Sequence, residues 1–256
     1  MTDAPPVDRS LVDAAVDLVR RAGEITLEYF RSAELGLELK ADGTPVTAAD
    51  KAAERFLRTE LGALFPDDSV LGEEEGAAPG TSGRRWIIDP IDGTKAFSHG
   101  VPLYSPLLAL DDEHGPAVGV IGLPALGEFV AAGRGLGCEL NGVPCRVSET
   151  PSVSGSYLST SEFNHWPADM LLAAHRSGVA MRTWGDGFGY ALVATGRIDA
   201  MVDPSIHLWD IAPCRVVIPE AGGRFTTLAG TTEADPPDAV ATNGRIHDEL
   251  LSIIGR

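Results

Sequence analysis

The stretch that most restricts this chain is WIIDPIDGTKAF, residues 86–97. Three apolar residues run into two acids, Asp89 and Asp92, with Pro90 and Ile91 between them. Pro90 fixes its own φ, has no N–H and biases Asp89 toward extended backbone, so no helix can run through this point. A buried strand must end here in a rigid turn. That turn can aim both carboxylates to one side and free the Ile91 carbonyl as a third oxygen. Oxygen donors at such short spacing suit Mg²⁺ or Mn²⁺, whereas zinc prefers nitrogen and sulfur. Gly93 lets the backbone come close to a ligand. Gly93, Thr94 and Lys95 then open a helix whose first N–H groups favour an anion such as phosphate. The competing reading is a plain loop turn with an aspartate N-cap.

The periodicity on either side predicts what surrounds this strand. Leu11, Ala15, Leu18, Val19, Ala22 and Ile25 recur at helical spacing and predict an amphipathic helix over 8–31. A second helix is predicted over 45–64, with Thr47 near its start. Between them, residues 35–44 alternate and turn at Asp42-Gly43, the pattern of a hairpin or mobile loop. Strands are predicted at 85–89, 104–110, 117–123 and 128–132, with Asn141-Gly142 as a tight hairpin turn, which makes a meandering antiparallel sheet. Beyond residue 148 short apolar strands alternate with helices predicted near 167–177, 185–195 and 209–221. That rhythm is an α/β layer. The expected organisation is an α+β half, residues 1–148, followed by an α/β half, residues 149–256, a division that 256 residues can support.

The formal charge of −17 excludes a basic footprint for nucleic acid, and no apolar run reaches the roughly 20 residues that span a bilayer. Cys138, Cys145 and Cys214 have no paired spacing and read as reduced thiols. With no signal-peptide pattern at the start, a cytoplasmic protein is expected. Solubility alone accounts for much of the negative charge, but clustered acids for divalent cations would add to it. Two further segments offer such acids. Gly72-Glu73-Glu74-Glu75-Gly76 places three acids in a row, which repel one another unless a counter-charge is near or the turn is solvated. Asp210, in LWDIA (208–212), starts an apolar helix and reads as an N-cap or as another oxygen ligand.

Together, GEE, DPIDGT, WDIA and a later EAGG (220–223) resemble the inositol monophosphatase family of metal-dependent phosphatases. The resemblance extends over nearly the whole chain, including Lys40 and PVTAAD (45–50). It implies a layered α/β/α/β/α sugar-phosphatase-type fold, a homodimer, and two or three Mg²⁺ ions, with Mn²⁺ as a substitute. It implies that Glu73, Asp89, the Ile91 carbonyl, Asp92 and Asp210 hold the metals, and that Glu73 also helps supply the nucleophilic water. Thr94 and Asp50 would orient and deprotonate that water, and the Gly93, Thr94 and Lys95 amides would hold the phosphate. Lys40 would sit on a loop that closes over the site; a surface lysine is the plainer reading.

Within the family, Arg182-Thr183-Trp184-Gly185-Asp186, and DGTKAF in place of DGTTNF, resemble the histidinol-phosphate phosphatases. The chain departs from the wider pattern at Ala96 and Pro213. The implied substrate is a small phosphate ester whose alcohol carries an amine and an imidazole. Asp186 and Asp203 would pair with that positive charge beside Gly185, with Trp184 or Tyr190 offering an aromatic face. A helix cap for Asp186 and a core place for Trp184 are the alternatives. An inositol or broader sugar phosphate is the other substrate reading. Outside the class, a non-catalytic metal or phosphate sensor would have no use for Asp50 and Thr94.

Overall fold

The computed structural model describes residues 4–32, 36–39 and 45–255. In chain order the first part holds α1 (Arg9–Tyr29), β1 (Glu38–Leu39), β2 (Pro45–Val46), α2 (Ala48–Leu64), β3 (Ser69–Gly72), β4 (Gly76–Ala78), β5 (Arg85–Asp92) and α3 (Thr94–Ser98). A meander follows: β6 (Ser105–Asp112), β7 (Gly115–Leu123), β8 (Glu128–Gly133), β9 (Gly137–Leu140) and β10 (Val143–Cys145). The remainder is β11 (Tyr157–Ser159), α4 (Ala168–Arg176), β12 (Ala180–Arg182), α5 (Asp186–Ala194), β13 (Ala200–Asp203), α6 (Leu208–Ile211), α7 (Cys214–Glu220), β14 (Arg224–Thr226), β15 (Ala239–Thr242) and α8 (His247–Ile254).

Helix α1 starts where the Asp8 carboxylate accepts the Ser10 amide at 2.9 Å, and it buries Val12, Ala15, Leu18, Val19 and Ala22 on one face. Helix α2 begins at Ala48, three residues later than its periodicity predicts. Pro45 and Val46 pair instead with Leu39 and Glu38 in a two-stranded ladder, and Thr47 with Asp50 closes a capping box. The Asp42-Gly43 turn and Lys40 lie outside the described residues. At Asn141-Gly142 both φ angles are positive, 51° and 78°, as a two-residue hairpin turn requires.

The main sheet has eight strands in the order β10-β9-β8-β7-β6-β5-β3-β4; only β3 and β5 run parallel. Its strands are apolar on both faces because both faces are covered. Trp86, Ile88, Leu108, Leu110, Val118 and Val120 pack against α1 and α2. Ile87, Leu107, Ala109, Ile121 and Leu123 pack the other way, against α5, α6 and α7. Those helices are covered in turn by a five-stranded sheet, β12-β11-β13-β15-β14, whose far face carries α4 and α8. The result is the expected α/β/α/β/α layering. The helix predicted over 209–221 is two helices: Pro213, with no N–H to donate, stands at the break between α6 and α7. No helix among the described residues is long and apolar enough to cross a membrane.

Candidate active site

Strand β5 does not stop at Asp89 as expected; it runs on to Asp92. Asp89 pairs with Leu107 and Asp92 with Ser105, so three steps on β5 match two on β6. Pro90 and Ile91 therefore lie in a bulge. Residues three apart in a regular strand point to opposite faces, and the extra residue of the bulge reverses that alternation. Both acids thus reach the same side. Asp210 arrives from α6, and carboxylate oxygens of Asp89, Asp92 and Asp210 lie within 4.8 Å of one another. Asp210 also accepts the His207 amide at 2.8 Å, so its capping role and its place in the cluster coexist.

The acids are costly in this position. Burial, then Glu73, Asp92 and Asp210, push Asp89 well above the ordinary carboxylate range. Burial, then Asp186 and Asp210, do the same to Asp92, although the Gly187 amide donates to its Oδ2. Among the described residues no lysine or arginine pairs with Asp89 or Asp92. All-oxygen donors at this spacing, Asp89 and Asp92 buried and Asp210 partly so, fit a hard divalent cation.

Glu73 joins them because its turn is fastened from behind. Its amide donates to Ile88 O at 3.2 Å. The Glu54 carboxylate accepts the amides of Glu74 at 2.8 Å and Glu75 at 2.9 Å, and Arg58 Nε donates to Glu54 at 2.8 Å. Arg58 is the counter-charge that the run of acids requires. Glu54 was not visible as a site-supporting residue in the sequence, where it reads as one more polar helix position.

Asp50 is wholly buried. Its Oδ2 accepts the Thr47 amide at 2.7 Å and hydroxyl at 2.5 Å, while its Oδ1 has no partner among the described residues. Burial, opposed by the Thr47 bonds and reinforced by Glu73, raises it to about 6. Ala49 packs with Ile91, Phe97 and Tyr104, which sets the start of α2 against the bulge and α3. The Thr94 hydroxyl donates to Ile91 O at 3.0 Å. Thr94 and Asp50 are not hydrogen-bonded to each other directly. Gly93 has φ 81° and caps α3; a Cβ there would come within 2.9 Å of Asp186 Oδ2. Glycine is thus required twice, by conformation and by space.

A cleft of about 470 Å³, lined by Glu73, Asp89, Asp92, Gly93, Thr94 and Asp210 but not by Asp50, reaches across to the second sheet's side. Gly185, Asp186 and Asp203 line it, as do Ser161, Glu162 and His165, from the loop after β11, which the sequence reading missed. The missed signal was a polar run, Ser159 to Glu162, at the carboxyl end of a buried strand, where α/β sheets carry ligands. Asp186 donates its amide to Ser161 Oγ at 2.9 Å and has φ 56°. Burial, then Asp203, raise Asp186 to about 7. Asp203 is heavily committed: it accepts from the Ser161 amide at 2.8 Å, Tyr190 OH at 2.9 Å and the Thr160 hydroxyl at 3.2 Å. Trp184 is not among the residues that line the cleft. It is half-exposed and stacks on Tyr157 at 6.3 Å, with Arg182 over both rings. Lys95 Nζ crosses the cleft to Glu162 Oε2 at 2.9 Å.

A larger groove of about 700 Å³ lies against β9 and β10. Glu220 of EAGG lines it but is occupied, accepting the Gly135 and Gly137 amides at 2.7 and 2.8 Å. That acid staples a turn and is remote from the carboxylate cluster.

A model of the inositol monophosphatase family matches residues 8–254. The chain is 41% identical to a histidinol-phosphatase of Chlorobaculum parvum over 250 residues, covering 94% of this chain and 95% of that protein. It is 40% identical to a histidinol-phosphatase of Mycobacterium tuberculosis over 247 residues, covering 93% and 95%. Among solved structures it superposes on the IMPase of Thermotoga maritima with a TM-score of 0.86 at 31% identity, covering 96% of each chain.

Proposed function

The chain belongs to the inositol monophosphatase family and is a phosphoric monoester hydrolase; from that premise we propose that it is a Mg²⁺-dependent phosphatase acting on L-histidinol phosphate. The observation that carries the reading is the convergence of Asp89, Asp92 and Asp210 beside Gly93. In this reading Glu73, Asp89, the Ile91 carbonyl, Asp92 and Asp210 hold two or three divalent ions. Bound there, the ions stabilise charge on the phosphoryl oxygens and on the departing alkoxide, and make water more acidic.

The protein supplies position and proton transfer. The Gly93, Thr94 and Lys95 amides have no acceptors within α3 and receive phosphate oxygens. Thr94 has committed its hydroxyl proton to Ile91 O, so its oxygen lone pairs are left to orient a water. Asp50, whose buried Oδ1 has no partner among the described residues and whose pKa is raised to about 6, takes the proton of that water near neutral pH. Thr47 holds Asp50 in place from the other oxygen.

Residues 1–148 supply the phosphate turn and most of the metal donors, and residues 149–256 supply the last donor, Asp210, together with the side that reads the alcohol. Asp186, close to Gly93, faces the cation nearest the ester. A cytoplasmic homodimer completes the reading on family grounds, and light scattering at micromolar concentration checks it. The runner-up substrate is inositol 1-phosphate, since every group placed on the phosphate would serve it equally. The deciding experiment measures kcat/KM for histidinol phosphate, inositol 1-phosphate and an adenosine 3′,5′-bisphosphate, each with Mg²⁺ and with excess chelator. We expect histidinol phosphate to lead and chelation to abolish turnover. Full activity in chelator, or a lead for inositol 1-phosphate, overturns the corresponding half of the reading.

A further inference from the structure

Among the described residues that line the cleft, Lys95 is the one lysine or arginine. It stands on the phosphate side, yet its ammonium is paired with Glu162 on the opposite wall at 2.9 Å. Glu162 Oε1 is also 3.1 Å from His165 Nδ1. The Lys95 side chain is 70% exposed and that of Glu162 29% exposed. An ion pair this wet contributes little and is cheaply exchanged. A phosphate dianion arriving at the Gly93–Lys95 turn is a stronger partner for Lys95 than a single carboxylate. When Lys95 turns to it, Glu162 loses its lysine and keeps, among the described residues, His165 and the Asn164 side-chain amide at 3.4 Å as neighbours, which leaves room for a second cation.

We propose that Glu162 is a specificity-determining residue: the Lys95–Glu162 pair is a placeholder for a zwitterionic substrate, whose phosphate takes Lys95 and whose cationic end takes Glu162. An ester with a neutral alcohol breaks the same pair and offers Glu162 nothing in return. Asp203, by contrast, has its oxygens engaged by Thr160, Ser161 and Tyr190, so it is less able to serve. The loop that carries Glu162 is held by Thr160, which bonds Asp203 at 3.2 Å and receives the Trp166 indole N–H at 2.9 Å. The carboxylate therefore stands on a braced support. This inference rests on the proposed reading of a cationic phosphate ester, and the test separates the two.

The test compares wild type with Glu162→Gln and Glu162→Asp, each with Mg²⁺, on histidinol phosphate and on inositol 1-phosphate. The ratio of kcat/KM values, cationic over neutral ester, should fall about tenfold in Glu162→Gln, mostly through KM. Glu162→Asp, which keeps the charge, should recover part of it. A ratio that does not move in Glu162→Gln overturns the inference and leaves Glu162 as a support for Lys95. A second measurement does not need histidinol phosphate to be the substrate. Free L-histidinol is titrated as an inhibitor of inositol 1-phosphate hydrolysis in the presence of inorganic phosphate. Its Ki should weaken about tenfold in Glu162→Gln; an unchanged Ki again overturns the inference. If wild type favours inositol 1-phosphate while the Ki still shifts, the substrate reading fails and the role of Glu162 stands.

Discussion

Asp68, under α2, and Asp89, at the bulge of β5, are both almost fully buried, at 7% and 2% exposure. Their surroundings are opposite. Asp68 accepts from Ser82 Oγ at 2.7 Å, Arg84 Nε at 3.0 Å and the Trp86 indole at 3.0 Å. Glu54 has Arg58 and two amides. Burial would raise Asp112, but the Arg134 guanidinium outweighs it and holds that carboxyl below its usual range. Asp89 has one backbone amide, that of Ile91 at 3.0 Å, and acids for neighbours. A chain of charge −17 thus sets its own cations beside Asp68, Glu54 and Asp112 and gathers the acids of the candidate site against each other. The layers around α1 and α2 supply the stability that this repulsion draws down.

The largest expected effect separates the two kinds of acid. Asp92→Asn should cut kcat by at least about a thousandfold, comparable to losing a major electrostatic group in a site. The same change should raise the melting temperature in chelator, since one repelling charge is gone. Asp68→Ala should do the reverse. It strands the Trp86 donor and costs about 2–3 kcal/mol, a fall in Tm of roughly 5–10 °C, with kcat per folded molecule retained. Paired thermal melts and steady-state rates decide it. If Asp92→Asn lowers the chelated Tm as Asp68→Ala does, the distinction between the two sets is wrong.

Asp186 sharpens the comparison because it lies at the boundary between the two halves. Asp186→Asn should lower kcat/KM for histidinol phosphate by about one to two orders of magnitude, the value of a charge-assisted hydrogen bond. Inositol 1-phosphate should suffer much less. Equal losses on both esters would make Asp186 a structural acid, like Asp68.

The slightest effect on turnover is expected from a buried base outside the cluster. His247 is fully buried, with ring nitrogens 2.9 Å from the hydroxyls of Thr226 and Thr242. Burial, then Arg224, lower it to about 4. The unfolded chain takes up this proton at a higher pH than the folded one. Stability from His247 is therefore complete above about pH 6.5 and lost as pH falls toward 4, with a slope of at most about 1.4 kcal/mol per pH unit. Stability from chemical denaturation across that window should rise less with pH in His247→Gln than in wild type. Asp50 and Asp186, raised to about 6 and 7, tilt the curve the other way in this window, so the comparison is between the two proteins: equal slopes in wild type and His247→Gln refute the assignment.

The acids that cluster were legible in two ways: DPxD restricts its own backbone and aims two carboxylates by spacing alone, whereas Asp210, which by itself reads as a helix cap, was pointed to by the family resemblance. The bulge was not legible. It is a property of register between β5 and β6, and only the pairing of Asp92 with Ser105 reveals it. Glu162 and Glu54 stayed hidden for a related reason. Glu162 lies 67 residues from Lys95, and Glu54 lies 20 from the turn it fastens. Trp184 illustrates the converse. Its nearness to Asp186 in sequence suggested an aromatic wall, but the chain turns at Gly185 and directs the indole to Tyr157. The break at Pro213, in contrast, could have been read from the residue itself, although a single helix was predicted over 209–221.

The cluster draws Asp89 and Asp92 from β5 and Asp210 from α6, far apart along the chain. Synthesis proceeds at ~5–20 residues per second, so Asp210 follows Asp92 from the ribosome by a time on the order of ten seconds. During that interval the emerging polypeptide carries the phosphate turn and most of its acids without the donor that closes the set. On the proposed reading, activity is conferred late in translation, and a chain interrupted before α6 would be inert toward the phosphate esters around it.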